Sequence, residues 1–118
     1  MLREDYSGHV VCEPRHKTWF APAAARPLNE FQIARVAADP ALLPIAAQPG
    51  GWSGLVYYRL HGSPRIYYSA YGEEYVEALA RTLVEMAHES PAWCIFDNTA
   101  DGAATLDALT LLKRIKVG

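Results

Sequence analysis

Cysteine is scarce in this chain: Cys12 and Cys94 are the only 2 in 118 residues, far apart and each inside an apolar run. That spacing excludes a zinc knuckle or a paired redox motif, and the two read as buried, reduced thiols. Long apolar stretches are also missing. Met1–Asp5 does not open a signal peptide, and no run approaches the roughly 20 residues of a membrane-spanning helix. The expectation is therefore a cytoplasmic protein. An excess of charge of one sign is lacking too: 11 Lys and Arg stand against 13 Asp and Glu, a net charge of -2. No basic run exceeds Lys113-Arg114-Ile115-Lys116, so bulk charge leaves no footprint for nucleic acid. Tyr67, Tyr68 and Tyr71 beside Arg65 supply rings for a single strand, but one cation among them is too few. His-Glu-x-x-His is absent, and Gly50-Gly51, with no phosphate-loop neighbours, reads as a turn.

What is present is an ordinary globular composition, 51% hydrophobic and 20% charged. A single domain over 1–118 is expected, long enough to bury about two thirds of its unfolded surface without metal or disulfide support. Short apolar runs bounded by turn or charged residues predict strands over His9–Glu13, Ile33–Ala38, Leu55–Leu60 and Ala92–Phe96. They are apolar on both faces, which suits parallel strands covered by helices. A helix is predicted from Glu73 to His88, with Tyr75, Leu79, Leu83 and Met86 on its apolar stripe. Glu77, Arg81 and Glu85 lie on its solvated face. A second helix is predicted from Asp101 as N-cap, running through Leu106, Leu109, Leu112 and Ile115, with Lys113, Arg114 and Lys116 suiting its C-terminal dipole. Pro22, Pro27, Pro40, Pro44 and Pro49 limit the other connections to short helix or loop. Strand followed by helix, repeated about every 25 to 35 residues, is the pattern of right-handed βαβ units. The fold class is α/β, four βα units with parallel strands.

Polar residues gather where these strands end. Glu13, Arg15 and His16 follow the first, Asp39 the second, Arg59 and His61 close the third, and Asp97 and Asn98 follow the fourth. Ligands bind at the carboxyl ends of parallel strands because loops and helix N-termini converge there. Period two places Leu55, Tyr57, Arg59 and His61 on one face of the third strand, and Val11, Glu13 and Arg15 on one face of the first. Glu13 and His61 are therefore the candidate proton-transfer pair, and Arg15 and Arg59 the clamp for an anionic group. His16, Asp39, Asp97 and Asn98 complete the candidate ligand-binding set. Buried Arg and Glu that only pair with each other are the structural alternative. Glu13, His16, His61 and Asp97 have metal-ligating chemistry but no metal motif, so no metal or other cofactor is specified. His9 and His88 fall away from the cluster. Trp19, Phe20, Trp52, Tyr67, Tyr68 and Tyr71 fall in predicted loops, placed to cap the core, bury a contact or stack on a ligand.

Several strings occur in order: Glu13-Pro-Arg-His16 before Trp19-Phe20, Arg35-Val-Ala-Ala-Asp39-Pro40, Tyr57-Tyr-Arg-Leu-His-Gly62, Tyr67-Tyr68-Ser-Ala-Tyr71, and Phe96-Asp-Asn98 before Gly102-Ala-Ala104. Together they resemble the YecE-like family, the domain of unknown function number seventy-two, over nearly the whole chain. The resemblance is to the family's C-terminal half. It implies a TIM-type barrel of which this chain holds the last four strands, with Met1–Tyr6 inside a family helix, as in a split or truncated gene. Where the family often has two consecutive asparagines this chain has Asp97-Asn98, and a later asparagine is replaced around Leu106-Asp107. A half barrel leaves two bare edges and an exposed hollow. The expected partner is a second copy closing eight strands, or a separately encoded N-terminal half. Two functions follow: a hydrolase or lyase on a small polar or anionic molecule, or a non-catalytic, truncated assembly or ligand-binding module.

Overall fold

The structure is a computed structural model that describes residues 6–117; apart from Tyr6, the family helix expected over Met1–Tyr6 lies outside the described residues. The apolar runs fold as short strands: β1 (Val10–Cys12), β2 (Ile33–Arg35), β3 (Ala37–Asp39), β4 (Gly50–Gly51), β5 (Val56–Leu60) and β6 (Ala92–Phe96). Helix α1 (Pro22–Glu30) follows β1, α2 (Glu73–Ala87) follows β5, and α3 (Ala103–Val117) follows β6. Single 3-10 turns form at Lys17–Phe20 and Pro44–Ala47.

The run expected as one strand over Ile33–Ala38 divides at Val36. Its first half pairs in parallel with β1, Val10 opposite Ile33, and its second half pairs in parallel with β5, Ala37 opposite Tyr58. Val36 itself donates its N–H to the Cys12 carbonyl at 2.8 Å. The chain therefore hands its hydrogen bonds from one neighbour to the other across a single residue. β6 pairs with β5 in parallel, Val56 opposite Ala92. The backbone order is thus β1, then the β2–β3 run, then β5, then β6.

Gly50-Gly51, expected as a turn, instead forms a two-residue strand antiparallel to Ala34 and Arg35. Two-residue pairing here needs glycine. Gly51 sits at φ +66, and a Cβ on it would meet the Ile33 carbonyl at 2.7 Å. Helix α1 is longer than its prolines suggested: Pro22 opens it, and Pro27 sits inside its nine residues.

Alternation decides which face each strand buries. Val56, Tyr58 and Leu60 of β5 pack on Val76, Leu79, Ala80 and Leu83 of α2 and on Leu111 of α3, with Ala37 beneath. Helix α2 buries the side its apolar stripe predicted, except that Tyr75 is exposed. Helix α3 differs from its sequence reading. It begins at Ala103, two residues after Asp101, and it turns Ala104, Asp107 and Leu111 inward. Leu106, Leu109 and Leu112 face outward, at 69%, 52% and 47% exposure. The cause is Asp107, which accepts hydrogen bonds inside the fold and so fixes the rotation of the helix about its axis.

Among the described residues no helix is long and apolar enough to cross a membrane.

Candidate functional site

β1 and β5 run in the same direction, and Glu13 follows β1 while Arg59 and His61 close β5, so these three side chains reach the same end of the sheet. His61 is nearly buried, its side chain 10% exposed, and lies between two carboxylates. Its Nε2 is 3.0 Å from Glu13 Oε2 and its Nδ1 is 3.0 Å from Asp97 Oδ2. Arg59 bridges the same two acids, donating from Nη2 to Asp97 Oδ2 at 3.1 Å and from Nη1 to Glu13 Oε1 at 3.5 Å. Four side chains from three strand ends make one closed ring in which each basic side chain meets both acids. An imidazolium satisfies both acids by donating from each nitrogen, and loss of either proton leaves one acid facing a bare lone pair. That arrangement can take up or release a proton without moving a heavy atom.

Glu13, Arg59 and His61 of the ring form one wall of a cavity of about 270 Å³, and Asp97 meets His61 from outside that lining. Arg15, Phe20, Val36, Ala38, Leu42 and Tyr67 form much of the rest. Arg15 is exposed at the mouth. The Tyr67 ring meets His61 edge to face, with centroids 5.9 Å apart. Tyr67 adopts φ 68, donates its N–H to the His61 carbonyl and accepts from Ala100 N–H at 2.9 Å. A left-handed tyrosine held at both ends of its peptide is a placed side chain.

Behind the cavity a second polar layer fixes the loop after His61. Gly62, at φ +104, donates to the Tyr71 hydroxyl at 2.8 Å, and that hydroxyl donates to Asp39 Oδ2 at 2.7 Å. Burial, then the bond to Asp39, raises the Tyr71 pKa, so the phenol stays protonated and keeps donating. Asn98 is fully buried and donates to the Ser69 carbonyl at 2.9 Å and to Asp107 Oδ2 at 2.7 Å. Asp107 also accepts from the Tyr71 N–H at 3.1 Å.

Seven of the eight residues singled out in the sequence thus divide into two groups. Glu13, Arg59, His61 and Asp97 form the ring, with Arg15 at its mouth. Asp39 and Asn98 lie in the layer behind, bonded to the loop. His16 is the outlier: it is exposed, pairs with Thr18 Oγ1 at 3.2 Å and does not line the cavity. The four-residue metal set of Glu13, His16, His61 and Asp97 is therefore broken, and among the described residues no group of three or more His, Cys, Asp or Glu is arranged to hold a metal ion. The loop aromatics also separate. Tyr67 and Phe20 line the cavity, Tyr71 belongs to the layer behind, Trp52 lies 6.4 Å from the exposed His9, and Trp19 and Tyr68 are exposed.

Two contributors were not read from the sequence as site residues. Asp107 sits on a predicted helix where periodicity gives no reason to bury an acid. Arg35 is 6% exposed, stacks on Phe20 at 4.8 Å, and has no partner for Nε among the described residues. Burial lowers its pKa. Its weak bond to the Ile45 carbonyl, 3.5 Å, holds the segment that brings Ala46 and Leu42 to the cavity wall. The two thiols are free and half-buried, and burial raises both, Cys94 to about 12.

Fold and site together define an α/β protein with parallel strands and a polar cavity at their carboxyl ends. Residues 1–118 match the family described as protein of unknown function DUF72, and the chain belongs to that family. It is similar to a solved DUF72 family protein from Thermotoga maritima MSB8, with 25% identity and a TM-score of 0.79 over 98% of this chain and 49% of that one. It is also similar to a DUF72 family protein from Enterococcus faecalis V583. One structure of that protein gives 22% identity and a TM-score of 0.75 over 99% of this chain and 53% of that one. The other gives 20% identity and a TM-score of 0.74, covering 99% and 51%. The chain therefore spans about half the length of these solved relatives. No curated protein matches it.

Proposed function

We propose that the chain forms four βα units equivalent to the C-terminal half of a TIM-type barrel, and that it binds a small polar or anionic molecule in the cavity at the strand ends for hydrolase- or lyase-type proton transfer. The observation that carries the reading is His61 held 3.0 Å from both Glu13 and Asp97 in the wall of a 270 Å³ cavity. Glu13 is the base, because its carboxylate lines the cavity: with His61 as the neutral imidazole donating from Nδ1 to Asp97, Glu13 takes the substrate proton, passes it to the Nε2 lone pair, and that proton is then returned to the leaving group. Arg15 and Arg59 supply the charge that holds an anion, and Tyr67 with Phe20 gives the apolar sides. Asp97 orients His61 from behind. Asp39 and Asn98 act through the loop they hold, and His16 has no part in binding.

A panel of small carboxylates, phosphate and polar sugars, read by thermal shift, tests this. A compound that raises the melting temperature of the wild type but not of Arg15→Gln is the expected result. Turnover of that compound is then lost in Glu13→Gln while its binding remains; undiminished turnover in Glu13→Gln overturns the role. A second reading has its own support, since Arg59, Glu13, His61 and Asp97 already satisfy one another as a charge-pairing plug. In that reading the chain is a non-catalytic assembly or ligand-binding module. No panel member is then turned over, whether or not one shifts melting, and Glu13→Gln costs stability alone.

A further inference from the structure

One side of the molecule ends in apolar surface that its own described residues leave open. β6 pairs with β5 along one edge and with no other described strand along its second. Trp93 and Ile95 on this strand are 54% and 36% exposed. With His9, Val11, Leu55 and Tyr57 they line an open cavity of about 230 Å³ on the face opposite the core. Trp93 stacks on Tyr57 with centroids 6.5 Å apart, so the two rings form a flat apolar floor. Beyond β6, α3 presents Leu106, Leu109 and Leu112 outward. Exposed apolar surface such as that around Trp93 and Ile95 marks interaction sites in soluble proteins. At the far end of the strand order, β1 pairs with β2 and with no other described strand along its second edge.

We propose that a second copy of this chain covers this surface, with β6 of each copy pairing in parallel with β1 of the other about a two-fold axis along the strands. Three observations choose this occupant. The strands from β1 to β6, apart from the short β4, pair in parallel, so the two free edges point the same way and one two-fold axis satisfies both at once. The matched solved relatives carry about as much chain again as the 49% to 53% that this chain covers, and a second copy supplies that length. The residues lining the hollow are apolar or aromatic apart from His9, so closing it buries no unpaired carboxylate or guanidinium. The proposal rests on the half-cylinder reading of the strands and is independent of the chemistry assigned to Glu13 and His61.

Light scattering on size-exclusion fractions tests it. The wild type is expected at twice the mass of the chain at micromolar concentration. Ile95→Lys and Trp93→Glu should weaken the dimer by about tenfold or more, whereas Ile45→Lys, exposed away from this surface, should leave it intact. A wild type with the mass of one chain at every concentration overturns the proposal, as does a dimer that survives both β6 substitutions. So does a single chain that doubles in mass only on adding a polypeptide matching the other half of the solved relatives. Hydrogen exchange separates the two levels of failure. Fast exchange of the outward β6 amides in a single-chain species removes the second copy alone, whereas protected amides there remove the half-cylinder as well.

Discussion

Asn98 shows how one amide can organise a loop it does not belong to. It sits fully buried after β6 and ties Ser69 to Asp107, and Asp107 in turn receives the backbone of Tyr71. Asn98→Ala removes both donors and leaves the buried Asp107 carboxylate with a single partner, at a cost of about 2–3 kcal/mol. Asn98→Asp is expected to cost more at neutral pH, because it places a second carboxylate against Asp107. Urea unfolding of the two variants gives the order. Gly62 is a comparable point: at φ +104, a Cβ would lie 3.1 Å from the Arg65 carbonyl and 3.2 Å from Asn98 Cβ. Gly62→Ala should therefore lower stability by about 1–3 kcal/mol and displace Tyr67 from His61. A change in the His61 ring resonances between wild type and Gly62→Ala is the measurement. Cys94 makes a pH prediction. Burial holds its thiol at about 12 against an ordinary 9.0, so the folded chain keeps a proton that the unfolded chain releases. The associated stability is full below about pH 9 and declines as pH rises toward about 12. Relative to Cys94→Ala, the wild type should lose stability across that window in chemical melts.

At the scale of elements, α3 carries two leucine populations that respond differently. Leu111 is 5% exposed in the core, and Leu111→Ala should cost about 2–4 kcal/mol at every protein concentration. Leu109→Lys, on the outward side, should change stability only in the concentration range where copies associate. Dilution series of thermal melts separate the two. The same helix marks the limit of reading elements from sequence. The β6 run Ala92–Phe96 and helix α2 were legible almost to the residue, because an unbroken apolar run or a strong 3.6-residue stripe sits between clear stop signals. Leu106, Leu109 and Leu112 formed an equally good stripe and point outward, because hydrogen bonds from Asn98 and Tyr71 draw Asp107 inside instead. The division of the Ile33–Ala38 run was hidden for a related reason: its residues are apolar throughout, and only the identity of the neighbouring strand changes at Val36. For the site, period two was enough to bring Glu13, Arg59 and His61 together. It could not separate Asp97, which touches His61, from Asn98 next to it, which turns away, since both follow one strand and differ only in side-chain direction.

At the scale of the molecule, the covered share of the relatives and the open hollow have a common thermodynamic consequence. If association covers β6, the melting temperature rises with protein concentration, and a ligand held at the strand ends raises it further by mass action. Melting that is independent of concentration over two decades would fit a chain already closed on itself. The hand-over at Val36 bears on what shape any larger assembly can take. A strand that serves one neighbour with its early residues and the other with its late residues forces those neighbours out of step along their length. Strands displaced in this way slant across the common axis, and a slanted parallel sheet carries curvature from the start. Each strand added to it turns the sheet further round instead of extending a flat ribbon.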